Sequence, residues 1–187
     1  MKNVPENAKL VFEGVRCKVY HWDQEMFDGT TAVFEKVVRL PAVTVFAIQD
    51  GKISMQEQIQ PHKKESFLCL PGGMVDKEGE NILEAAKREL IEETGLESKD
   101  WEFWKISGVS GYIHWENHIY IARDCEKVAE LKLDAGEKIE NKLVTFDEFF
   151  SFLEDPRFRH RDFLGDLYRI RESEEETLAF KKLLGIK

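Results

Sequence analysis

No apolar run in this sequence of 187 residues is long enough to span a membrane. Its opening residues, MKNVPENAKL, lack the apolar core of a signal peptide, so a cytoplasmic protein is the expectation. The three cysteines, Cys17, Cys69 and Cys125, are isolated and form no C-x-x-C pair. A disulfide scaffold and a cysteine zinc site are thereby set aside, and reduced thiols are expected. There is no basic surplus: a formal net charge of −9 implies no cationic surface for a nucleic-acid polymer. It leaves open a small phosphorylated ligand, because a bound metal ion inverts the local field. Internal repeats and low-complexity linkers are absent as well. What remains, 42% hydrophobic and 34% charged residues, describes a globular chain with a substantial core in one domain.

The local patterns order that chain. Residues 10–20 are rich in β-formers and read as two short strands hinged at Gly14. Asp28 and Gly29 mark a turn before a strand over 31–40. Residues 42–48 form a nearly continuous apolar run, as in a strand buried on both faces. Asp50-Gly51 predicts a hairpin into 52–58, then an exposed loop over 60–66 and a short strand over 67–70. Strands are expected at 101–106, 118–123 and 142–144, with a loop over 107–116. Thr145 and Glu148 have the spacing of a capping box for a helix through 153. Terminal helices are expected over 159–171 and 174–184. Trp101, Trp104 and the aromatic residues of 146–152 read as core.

The stretch 71–96, PGGMVDKEGENILEAAKRELIEETGL, stands apart. A Gly-rich loop leads into a helix that Asn81, or the loop before it, can start and Gly95 can stop. Glu89 and Glu93, four residues apart, share a helix face with Glu92 beside them. Leu83, Ala86 and Leu90 form the adjoining apolar stripe, so the carboxylates sit at the border of the core. Like charges at that spacing cost about 0.2–0.5 kcal/mol per pair, and the helix C-terminus disfavours them further. Arg88 offsets part of this, and a hard divalent cation is the natural remedy. Neutralising one carboxylate here is therefore not expected to lower stability. A solvated acidic helix end is the competing reading.

Gly73, Glu80, Arg88-Glu89-Leu90, Glu92-Glu93 and Gly95-Leu96 resemble the Nudix box, the signature of the Nudix hydrolases. Six residues separate Gly73 from Glu80 where the box usually has five. The extra one falls in the turn Asp76-Lys77-Glu78-Gly79, which tolerates insertion. The resemblance implies an α+β (α/β/α sandwich) fold with a mixed β-sheet, and a chain divided into an N-terminal β-strand subdomain (1–40), a Nudix domain (41–154) and a C-terminal helical extension (155–187). Leu70-Pro71-Gly72-Gly73, Phe27-Asp28-Gly29 and Phe34-Glu35 fit the ADP-ribose and nucleoside-diphosphate-sugar pyrophosphatase branch. In that branch the N-terminal strands often cross to a partner chain, so a homodimer is expected. Glu57-Gln58-Ile59-Gln60 departs from the branch, which usually places an arginine where Gln60 stands.

The same resemblance implies roles. Glu89, Glu93 and Glu92, with the Gly72 carbonyl, would hold Mg²⁺, with Mn²⁺ as the alternative. Arg88 would orient the carboxylates, Glu80 would brace the loop, and Phe27, Glu57 and Gly73 would meet the substrate. Glu137, in the loop 133–137, is the first choice for the general base, with Glu116 second. Phe27, Tyr112 and Trp115 are candidates for stacking on a base. His62, His114 and His118 do not share ligand spacing. The implied activity is Mg²⁺-dependent hydrolysis of a nucleoside diphosphate sugar, ADP-ribose first, to a nucleoside monophosphate and a sugar phosphate. A house-cleaning nucleoside triphosphate pyrophosphatase and a non-catalytic nucleotide-sensing module are the alternatives.

Overall fold

A computed structural model describes residues 4–133, 135–136 and 138–187. Eleven strands and four helices follow in order: β1 (Lys9–Glu13), β2 (Cys17–Glu25), β3 (Thr31–Arg39), β4 (Ala42–Gln49), β5 (Lys52–Ile59), β6 (Phe67–Cys69), α1 (Ile82–Thr94), β7 (Leu96–Glu97), β8 (Asp100–Val109), β9 (Ile113–Arg123), β10 (Glu126–Lys127), β11 (Lys138–Val144), α2 (Phe146–Ser151), a 3₁₀ turn (Phe152–Glu154), α3 (Leu164–Glu172) and α4 (Glu174–Leu184). Nine strands form one mixed sheet in the order β1-β2-β3-β9-β4-β5-β11, with β6 beside β5 and β8 beside β9. Strands β3 and β4 both run parallel to β9, and the remaining pairs are antiparallel. Among the described residues no helix is long and apolar enough to cross a membrane.

Strand β4 explains the layering. Its alternation sends Val43, Val45 and Ala47 to one side, where Ala85, Ala86 and Leu90 of α1 cover them. Phe46 and Ile48 point the other way, into a core closed by α2, α3 and α4. The Phe46 ring meets Phe149 and Phe180 at 5.5 Å each and Trp104 at 5.7 Å. The result is the expected α/β/α sandwich, with Trp101 and Trp104 packed on opposite faces.

Three local expectations need correction. Residues 107–116 are not a loop: β8 reaches Val109 and β9 starts at Ile113, pairing Val109 with Trp115. The last sheet strand is longer than 142–144, because β11 pairs with β5 from Lys138 onward. A helix does not begin at 159. Residues 157–161 alternate exposed and buried instead, with Phe158 and His160 inside, a period of two that suits extended backbone. Leu68 N–H donates to Arg157 O (3.0 Å) and Arg159 N–H to Leu68 O (2.9 Å), which ties the segment to β6 before α3 starts at Leu164.

Candidate active site

Helix α1 is delimited as its sequence requires. The Asn81 side chain accepts from Glu84 N–H (2.9 Å) while Glu84 accepts from Asn81 N–H (3.2 Å), a reciprocal cap. Gly95, at φ 68°, closes the other end by donating to Ile91 O. Between the caps Arg88 gathers the carboxylates. Its Nε and Nη2 grip both oxygens of Glu80 (2.8 and 3.0 Å), and its Nη1 reaches Glu89 (2.8 Å) and Glu92 (3.0 Å). A planar guanidinium alone supplies that many directed donors. The Arg88 hydrogen bond is the main cause that holds the Glu80 carboxyl below its ordinary range.

Glu93 is buried and turns the other way. Its carboxylate accepts from Gly72 N–H (2.9 Å) and, more weakly, from Gln58 Nε2 (3.3 Å). The loop is pinned on its other edge, where the carbonyls of Pro71 and Gly73 accept from Val45 and Val43. Gly72 needs to be glycine: its φ is 152°, and a Cβ would run into the carbonyl of Val43. At Gly73 a Cβ would fall on the Glu89 carboxylate instead. The two glycines therefore predict a contrast. Gly72→Ala should cost about 2–3 kcal/mol of stability, since backbone cannot yield. Gly73→Ala should cost much less, because Glu89 can swing aside, yet should still lose activity. Thermal melts of both variants beside kcat/KM check this, and equal melting temperatures would contradict it.

These carboxylates floor a cavity of about 300 Å³. Arg16, Arg39, Lys132 and Arg159 form its cationic wall. Trp115 lines it too, with the Arg39 guanidinium 5.1 Å from its ring centroid. Asn117, His160 and Asp162 also line it, and a hydrogen bond joins Asn117 to Asp162. Asp162 accepts from Asn117 (2.9 Å) and from the Ser107 hydroxyl, and Thr44 donates to Asn117 (3.1 Å). A second groove of about 530 Å³ meets this cavity at Arg159 and carries none of these carboxylates.

His160 Nε2 accepts from Leu70 N–H (2.8 Å), at the entry to the glycine loop. That bond needs a neutral ring. Burial, reinforced by Arg159 and opposed by Asp162, pushes the imidazole down to about 4 from 6.5. The unfolded chain therefore binds a proton between those values that the folded chain refuses, so stability should be complete above 6.5 and decline as pH falls toward 4. Melting temperature should drop between about pH 7 and about pH 5, and His160→Gln should flatten that drop. An unaltered slope would show that other groups govern it.

Of the residues singled out from sequence, Gly72, Gly73, Arg88, Glu89, Glu92 and Glu93 line this one cavity. Glu80 lies behind Arg88. Glu57 faces the opposite side of β5, bound to Ser66 (2.6 Å), Arg157 (3.0 Å) and Lys142 (3.4 Å). Phe27 is fully exposed in the β2–β3 turn, and Tyr112 is exposed in the β8–β9 turn. Glu116 lies 3.4 Å from His114 and 3.2 Å from His118, outside the cavity lining. Glu137 falls outside the described residues. Sequence reasoning missed Arg16, Arg39, Lys132, Asn117, Arg159, His160 and Asp162. Only the polar run 159–162 gave a signal, being oddly charged for a buried helix start.

The donor set, three carboxylates with backbone carbonyls nearby, suits a hard divalent cation, and the missing Cβ of Gly73 leaves room beside Glu89. Among the described residues no three acidic, His or Cys side chains are already arranged as a ligand set. Arg88 Nη1 gathers Glu89 and Glu92, while Gly72 N–H holds Glu93 turned the other way.

The chain matches the NUDIX domain over residues 38–167. It is 33% identical over 154 residues to the methanol dehydrogenase activator of Bacillus methanolicus, spanning 80% of this chain and 82% of that protein. It is 28% identical over 153 residues to the ADP compounds hydrolase NudE of Escherichia coli K12, spanning 80% and 81%. The crystal structure of an ADP compounds hydrolase superposes with a TM-score of 0.72 at 24% identity, covering 89% of this chain and 91% of that one, which establishes the fold. With that fold and the box carboxylates and Arg88 in place, the chain belongs to the Nudix family and is a hydrolase of pyrophosphate bonds.

Proposed function

We propose that the chain is a Mg²⁺-dependent pyrophosphatase of nucleoside diphosphate sugars, with ADP-ribose as its first substrate and a nucleoside monophosphate and a sugar phosphate as products. The observation that carries this reading is the presence, in the lining of one cavity, of the Glu89, Glu92 and Glu93 carboxylates together with the guanidinium groups of Arg16, Arg39 and Arg159. Carboxylates alone would repel a pyrophosphate, and cations alone would bind it without activating water.

Glu89, Glu92 and Glu93, with the Gly72 carbonyl, are the residues to hold the metal; Mn²⁺ is the alternative ion. Bound there, the ion would neutralise phosphate charge and lower the pKa of the attacking water. The remaining work falls to the chain. Arg88 keeps Glu89 and Glu92 aimed, and Gly72 N–H with Gln58 fixes Glu93. The arginine wall takes the phosphates by charge-assisted hydrogen bonds. Trp115 offers a ring face for the base. Glu137 is the proposed general base, and Glu116, engaged with two histidines, is second.

A homodimer through the N-terminal strand region, residues 1–40, is part of the reading, since Leu10, Val11, Phe12 and Val33 are exposed there. A monomer by sedimentation at micromolar concentration, with full activity, would remove it. A cytoplasmic location also belongs to the reading.

A panel of ADP-ribose, other sugar nucleotides, dinucleotides and triphosphates is the test. ADP-ribose should be split in Mg²⁺, with loss in EDTA and recovery on adding Mg²⁺ or Mn²⁺. Better turnover of triphosphates would move the assignment to a house-cleaning enzyme, and no turnover of any of these compounds would move it to a pyrophosphate outside the panel.

A further inference from the structure

The second groove, about 530 Å³, lies between the 60–66 loop and residues 156–161. Lys63, Lys64, Arg157, Arg159 and Arg161 line it against a single acid, Glu65. In a chain of net charge −9 this local field is opposite in sign to that of the whole molecule. The backbone sets it up. With Phe158 and His160 buried and Leu68 bonded to Arg157 and Arg159, the three arginines stand on the outer side of the segment.

Their partners show which charges are spent. Arg157 is neutralised by Asp155 (2.9 Å) and Glu57 (3.0 Å). Among the described residues, no carboxylate lies within 4.0 Å of the charged nitrogens of Lys63, Lys64, Arg159 or Arg161. Lys63 and Arg159 lie against the Phe67 ring, at 4.9 and 4.7 Å from its centroid. Arg161 donates to the carbonyls of Pro156 (3.1 Å) and Asp155 (3.4 Å). These contacts aim the side chains without cancelling their charge. Four mutually repelling cations held around one concavity are stabilised by a multiply charged anion that bridges them. Arg159 also lines the carboxylate cavity, so the two concavities share a wall.

We propose that this groove is a second binding site, for a phosphate-bearing anion, beside the catalytic cavity and independent of which substrate that cavity takes. Inorganic tripolyphosphate is the probe, titrated calorimetrically in EDTA into the full-length protein at low salt. Lys63 and Lys64 line the groove and not the catalytic cavity, so substituting them separates binding in the one from binding in the other. Lys63→Ala/Lys64→Ala should weaken its binding about tenfold or more, and Lys63→Glu/Lys64→Glu should abolish it. Both lysines are exposed, and an unchanged melting temperature verifies that the fold is kept. Undiminished affinity in the charge-reversed protein would overturn the proposal, as would failure of the native protein to bind. Kinetics then separate the two sources of such an anion. A raised KM only for substrates with additional phosphates, with ADP-ribose unaffected, assigns the groove to the far end of a long substrate. A response of ADP-ribose turnover to added inorganic phosphate, lost in the variants, assigns it to a free anion.

Discussion

Glu93→Gln is expected to lower kcat/KM by about 10³-fold or more while leaving a folded protein. The substitution removes one charged oxygen donor from the proposed metal set, and metal-centred charge stabilisation is worth several kcal/mol of barrier, with about 1.4 kcal/mol per tenfold in rate. The structure also revises the expectation for stability. On sequence grounds alone, removing one of three clustered carboxylates relieves repulsion and should not destabilise. That relief is only a few tenths of a kcal/mol for a helix pair. But Glu93 is 4% exposed, and its two oxygens accept from Gly72 N–H and Gln58 Nε2. A glutamine has a single acceptor oxygen, so its amide nitrogen would face one of those donors. An unsatisfied buried donor costs about 1–3 kcal/mol, which outweighs the relieved repulsion. The melting temperature should therefore fall modestly, and Mg²⁺ should stabilise the variant less than the native chain. Near-normal turnover at limiting Mg²⁺ would take Glu93 out of the site.

What the sequence made legible was local. Asn81 and Gly95 delimit α1, and the spacing of Arg88, Glu89, Glu92 and Glu93 fixes a shared helix face, because all of these relations lie within one or two helical turns. The buried run 42–48 announced the central strand for a similar reason: β4 occupies Ala42–Gln49. The cationic wall was illegible because it is assembled by long-range pairing. Arg39 ends β3 opposite Cys17, beside Arg16, and only the antiparallel register of β2 and β3 brings the two arginines to the cavity. Arg159 arrives through the backbone bond of residue 159 to Leu68, a contact 91 positions away that no periodicity encodes.

Glu57 teaches a finer point. It adjoins Gln58 in sequence, and the resemblance offered it as a substrate contact. Strand alternation puts neighbours on opposite faces. Gln58 turns to Glu93 and the cavity, so Glu57 turns to Arg157 and Lys142 on the side of the C-terminal segment. Residues 157–163 misled in the reverse direction. Arginine is a good helix former, but the period-two burial of Phe158 and His160 overrides helix propensity.

Arg88→Lys is expected to destabilise the metal-free protein by about 3 kcal/mol and to cut kcat/KM by about 10–100-fold, although the charge is conserved. The native guanidinium is 19% exposed and serves Glu80, Glu89 and Glu92 at once, with a further bond to Met74 O (3.3 Å). An ammonium on a shorter, flexible stem cannot span all three carboxylates. Those it drops remain partly buried without a cation, and breaking such a cluster costs about 3–5 kcal/mol where burial is complete. An exposed pair would be worth no more than about 1 kcal/mol, so the size of the loss distinguishes an organising arginine from a surface one. The loss in rate would come through misaimed Glu89 and Glu92, the usual scale for a residue that orients metal ligands being about 10–100-fold. Acid should discriminate further. Glu80 is held below its ordinary value of 4.5 chiefly by its hydrogen bond to Arg88. The stability this supplies is complete above 4.5 and is lost as pH falls below it, so the native chain should show that acid-side loss and the lysine variant should show less of it. Denaturant unfolding at about pH 7 and about pH 4, in EDTA and in Mg²⁺, measures all of this. A variant within about 0.5 kcal/mol of native at both pH values would reduce Arg88 to an ordinary surface charge.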